Sequence, residues 1–174
     1  MMEKIKTHFI KMGPKRFVFG AVFLLLVLDL VNSYFLRIYW VHKDLSLFYV
    51  KKLAMKEGLD FTTLTNDSIL EVKGVIDNGF FFFLLIVLIN NLFFYAFYLR
   101  KKLWAQGYIL FYTITNALLA IVFLVEGPIL GVSWFVYNVT TIFMYLYLYF
   151  GVKVLKYETT DAKSPIPVHE KKEL

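Results

Sequence analysis

Four long apolar runs, residues 17–41, 79–99, 104–125 and 131–155, constrain this chain more than anything else in it. As helices rising 1.5 Å per residue, each reaches across a hydrocarbon core about 30 Å thick. With 59% hydrophobic residues and a mean hydropathy of +0.63, the polar residues that remain are too few to coat a soluble domain. The expected fold is all-α: a four-helix transmembrane bundle with an amphipathic extracytoplasmic loop, residues 42–78, between the first and second spans. The first run is not read as a signal peptide, because it is longer than an h-region and no small-x-small cleavage site follows it.

Orientation follows from the basic residues. Lys4, Lys6, Lys11, Lys15 and Arg16 precede the first span, Arg100-Lys101-Lys102 form the turn between the second and third, and Lys153, Lys156, Lys163, Lys171 and Lys172 follow the fourth. Together they are most of the 19 basic residues, whereas the connection 126–130 has none. The positive-inside bias therefore places both termini, residues 1–16 and 156–174, in the cytoplasm, and the tail, led by Ser164-Pro165-Ile166-Pro167, is expected to be disordered. Anionic headgroups of the lipid bilayer account for charge at helix ends, so no nucleic acid is expected as a partner. Tyr34, Tyr39 and Trp40, Phe80 to Phe83, and Trp104 with Tyr108 read as interfacial anchors, and Tyr145, Tyr147 and Tyr149 as a belt around the fourth span.

Within the loop, Leu45, Phe48, Tyr49 and Leu53 recur at helical spacing, so residues 44–57 read as a short amphipathic helix ending at Gly58, with Lys51, Lys52 and Lys56 snorkelling. Ser68 and Glu71 have capping-box spacing, which starts a second short helix before Asp77-Asn78-Gly79 introduces the second span.

Chemistry is sparse. The absence of cysteine excludes disulfides, thiolate metal sites and thiol redox enzymes, and His8, His42 and His169 are too scattered to hold a haem or metal. No phosphate loop, zinc motif, serine–histidine pair or second intramembrane aspartate is present, so no catalytic, cofactor or metal residue is assigned. What stands out is a polar layer at mid-membrane depth: Asp29, Asn32 and Ser33 in the first span, Asn90 and Asn91 in the second, Asn116 in the third and Asn138 in the fourth. A charged carboxyl is expensive in hydrocarbon, so Asp29 must be neutral or held by donors. Arg37, about 12 Å farther along the helix axis, is expected to snorkel rather than pair with it. Arg37 and Glu126 are the outer-face candidates.

Two readings of that layer compete. As interhelical glue, it belongs to a non-enzymatic multi-pass subunit or scaffold that associates with itself as a homo-oligomer or with other membrane proteins, the preferred expectation. As a proton or cation path through Asp29, it belongs to a small transporter or channel component. A lipid-acting enzyme using Asp29, Arg37 or Glu126 is the third expectation. The bacterial inner membrane is the favoured location; in a eukaryote the terminal Lys171-Lys172-Glu173-Leu174 has the form of an endoplasmic-reticulum retrieval signal.

Overall fold

A computed structural model of the protein describes residues 2–125 and 131–155. Six α-helices follow one another, α1 (Met2–Met12), α2 (Pro14–His42), α3 (Leu45–Lys56), α4 (Asn66–Leu99), α5 (Leu103–Val125) and α6 (Val132–Val154), with one 3-10 turn at Phe61–Thr63 and no strand among the described residues. Four of them, α2, α4, α5 and α6, are long and apolar enough to cross a membrane, as a multi-pass integral membrane protein requires.

The helix boundaries have local causes. Gly13, with φ 76, closes α1 by donating its N–H to the Phe9 carbonyl, and Pro14 then starts α2, where a missing N–H costs nothing. Gly58, with φ 69, ends α3 in a Schellman arrangement: its own N–H reaches Met55 O at 3.2 Å, and that of Leu59 reaches Ala54 O at 2.9 Å. The turn after α4 repeats this pattern with a lysine: Lys101 has φ 58, with Lys101 N bonded to Tyr98 O and Lys102 N to Phe97 O.

Packing is tightest between α5 and α6. The buried positions of α6, Trp134, Asn138, Thr141, Tyr145, Leu148 and Val152, alternate in steps of four and three, the 3.5-residue period of left-handed helix pairs. They meet small residues on α5, Ala105, Thr113, Ala117 and Ala120, which let the backbones approach where lipid supplies no hydrophobic drive. From α2, Phe17, Ala21, Leu25 and Leu28 complete the core.

Some features go beyond the sequence expectations or correct them. The basic N-terminus holds an amphipathic helix, α1, whose Phe9 is fully buried, edge-on to Phe17 and against Tyr147, while Lys4 and Lys11 face outward. Its docking depends on Gly151, where any Cβ would fall onto the Phe17 ring and lie 2.8 Å from Phe9. No break separates a loop helix from the second span, because α4 runs unbroken from Asn66 through Asp77-Asn78-Gly79; its cap is Thr65, whose hydroxyl accepts from Ser68 N at 3.3 Å, one turn before the expected start.

α3 takes the place of the expected loop helix. Ser46, Val50 and Ala54 are buried toward the bundle, whereas Phe48, Tyr49 and Leu53 stay exposed. Small residues win the protein contact because they permit close approach, which leaves the bulky stripe for the surroundings. The aromatic belt fails at Tyr145, which is wholly buried. Residues 126–130 and the tail 156–174, including Glu126 and the expected disorder, lie outside the described residues.

Candidate functional site

Asp29 lies on the buried stripe of α2 and is only 4% exposed. Its carboxylate is closed by three donors from two other helices. Oδ2 accepts from Asn91 Nδ2 at 3.0 Å and from the Tyr95 hydroxyl at 2.7 Å, both on α4, and Oδ1 accepts from the Tyr112 hydroxyl of α5 at 2.5 Å. The amide of Asn91 is itself fixed: Nδ2 also reaches the Tyr112 oxygen at 3.0 Å, and Oδ1 accepts from Tyr108. Asn91 and Tyr95 are one turn apart, as are Tyr108 and Tyr112, so each helix presents two groups on a single face.

No cationic side chain pairs with Asp29 among the described residues, whose ion pair is Asp44–Lys73 at 2.7 Å. Two phenols and an amide thus give the carboxyl its hydrogen-bond partners where no cation does.

A second cluster lies one turn toward the α3 end of the bundle. Asn32 Nδ2 donates to Tyr145 OH at 2.6 Å, and Asn32 Oδ1 accepts from Tyr137 OH at 2.6 Å, which ties α2 to α6 twice. Tyr145 meets Tyr112 edge-on, with ring centroids 6.2 Å apart, so the two clusters touch through these rings. Phe35 stacks on Tyr137 at 3.8 Å and Tyr39 on Trp134 at 5.9 Å, covering that end.

The remaining candidates are placed differently. Asn116 and Asn138 bond back to their own helices, to Tyr112 O at 2.9 Å and Trp134 O at 2.8 Å. Ser33 is half-buried, and Asn90 sits on an exposed face. Arg37 is exposed, its guanidinium carbon 4.7 Å from the centroid of the Phe81 ring, a cation–π contact away from Asp29. Asp29 and Asn91 thus share one hydrogen-bonded cluster, Asn32 belongs to a second that meets it through the Tyr112 and Tyr145 rings, and Asn116 and Asn138 border them.

Sequence reasoning missed Tyr95, Tyr112 and Tyr137 and read Tyr108 and Tyr145 only as interfacial residues. Tyr95, Tyr108, Tyr112 and Tyr137 donate to the carboxyl and amide oxygens, while Tyr145 accepts from Asn32. Their signal was helical register: Tyr95 follows Asn91 by four, and Tyr112 precedes Asn116 by four. At the α3 end, Trp40 donates its indole N–H to Asp77 at 2.7 Å and stacks on Phe80 at 4.0 Å, so this interfacial tryptophan also fastens α2 to α4.

Among the described residues no three metal-ligating side chains come together. Compared with known protein families, with characterised proteins and with solved structures, the chain shows no significant match. The site's chemistry is thus the guide to function. It can hold three helices in register around one carboxylate. As a proton wire it is interrupted at Asn32, since an amide cannot accept and release a proton in turn as a hydroxyl does.

Proposed function

We propose that the protein is a non-enzymatic membrane subunit or scaffold, whose buried polar network fixes the arrangement of its own helices and whose partners, further copies of itself or other membrane proteins, meet its outward faces. The observation that carries this reading is the closure of Asp29: it is 4% exposed and both carboxylate oxygens already accept from donors within the chain. A catalytic or transporting carboxylate needs a face open to its ligand. α4, in contrast, turns Phe82, Ile86, Ile89 and Phe93 outward along its span, a surface for lipid or a neighbouring helix. In this reading the α1 end, where the basic residues collect, faces the cytoplasm of a bacterial inner membrane.

The test is native mass spectrometry of the protein extracted with its lipids into nanodiscs. A defined homo-oligomer or heteromeric complex supports the subunit reading; a monomer free of partners at native abundance overturns it. The second reading, a transporter component in which Asp29 binds a proton or cation, draws on the run of polar groups from Asp29 through Tyr112 and Tyr145 to Asn32 and Tyr137. It requires Asp29→Asn to abolish a flux into reconstituted vesicles, and an unchanged flux removes Asp29 as the coupling group.

A further inference from the structure

We propose that a small polar cavity between α2, α5 and α6 is the binding site of one resident water molecule, held by the side-chain carbonyl of Asn138. Asn138 is 0% exposed, and its Oδ1 is a buried side-chain acceptor with no hydrogen-bond partner among the described residues. Turning the amide over does not relieve it. That exchange would point a carbonyl oxygen at Trp134 O, which the Nδ2 now satisfies at 2.8 Å, and would strand the NH2 instead. Oδ1 therefore calls for a donor from outside the described side chains.

The space beside it has the right size and lining. The cavity is about 20 Å³, with Asn32, Asn116, Tyr137, Asn138 and Thr141 as its polar lining and Leu36, Leu119, Ala120 and Phe123 as its apolar wall. A water needs roughly 10–15 Å³ and two to four polar partners, so one molecule fits. A metal cation is the poorer occupant. No charged residue borders the cavity, and both polar atoms of Asn32 are already committed, Nδ2 to Tyr145 and Oδ1 to Tyr137. The water donates to Asn138 Oδ1 and shares its remaining capacity with Asn116 and Thr141, so the Asn32 cluster continues through it to α5 and α6. This inference stands apart from the subunit reading, because it rests on an orphaned acceptor and a volume, whatever the protein's partners are.

The experiment is NMR of the full-length protein in nanodiscs, with the Asn138 side-chain amide assigned through its backbone and probed for cross-relaxation with water. The expected result is a direct cross-peak to water, unchanged when sodium replaces potassium at constant ionic strength. A resolved Asn138 amide without that cross-peak overturns the proposal. A shift of the amide on exchanging the two cations overturns it in favour of an ion. Ala120→Val, which adds bulk on the cavity wall, is expected to remove the cross-peak while the helical circular dichroism is retained; a cross-peak of undiminished intensity places the water elsewhere and refutes the site.

Discussion

Replacing Asp29 by leucine removes the acceptor on which three helices converge. Three bonds are lost, from Asn91, Tyr95 and Tyr112. At the average of about 0.6 kcal/mol for an interhelical hydrogen bond in a membrane bundle the loss is about 2 kcal/mol, and at the upper end of about 1.7 kcal/mol each it is about 5 kcal/mol. The damage is unequal. Asn91 Nδ2 keeps its bond to the Tyr112 oxygen, but the Tyr95 hydroxyl, on a residue only 2% exposed, has Asp29 as the acceptor shown here and is stranded. Tyr95→Phe on its own should cost about 0.6–1.7 kcal/mol, and in the Asp29→Leu background it should be neutral or stabilising, because the stranded hydroxyl is gone. The assay is reversible unfolding in mixed micelles titrated with a denaturing detergent, followed by circular dichroism, for the four members of this double-mutant cycle. Strict additivity, or an Asp29→Leu protein as stable as the parent, would show that the network does not hold the bundle together.

Other consequences can be checked separately. Gly151→Ala should displace Phe9 and Phe17 and raise hydrogen exchange across residues 2–12, at about 1–3 kcal/mol of overpacking; unchanged protection would mean that α1 docks without that close approach. Lys101→Gly should stabilise by about 1 kcal/mol, since a β-carbon is strained at φ 58, and a destabilised variant would point instead to a role for the lysine side chain. Lys73 beside Asp44 holds that carboxyl below the usual carboxylate range. With its folded value depressed, the pair's contribution is complete above the unfolded value of about 3.9 and is lost as pH falls through the lower folded one, so Asp44→Asn should leave the stability profile between pH 5 and 8 unchanged in shape. The side chains are 33% and 45% exposed, which limits the pair to at most about 1 kcal/mol, less in high salt.

The spans were legible because hydropathy and length act over twenty residues, and their ends fell within a few residues of the observed helices at α2, α5 and α6. α4 was misjudged where Asp77, Asn78 and Gly79 read as a break, although the helix has good neighbours on both sides and needs no boundary there. α1 was overlooked because five basic residues drew the eye from Ile5, Phe9 and Met12, which share a face. At the site, carboxyl and amide side chains in apolar sequence announced themselves, whereas tyrosines did not. A tyrosine serves equally as an interfacial anchor, a packing ring or a hydroxyl donor, and the choice depends on which helix lies opposite. For Tyr145 that neighbour is α2, through Asn32, a long-range contact with no signature in local sequence.

α4 has 34 residues, roughly 51 Å of helix at 1.5 Å per residue, well beyond the hydrocarbon thickness. It contains no proline, so it has no built-in hinge of that kind. One end is clipped to the α2–α3 corner by Lys73 on Asp44, and Asn91 and Tyr95 grip the Asp29 carboxylate farther down the same rod. The 18 helical steps from Lys73 to Asn91 span roughly 27 Å. With Trp40 pinning Asp77 and Phe80 between those two points, α4 is fastened to α2 and α3 at three levels along one rod, so a displacement of either end strains the other.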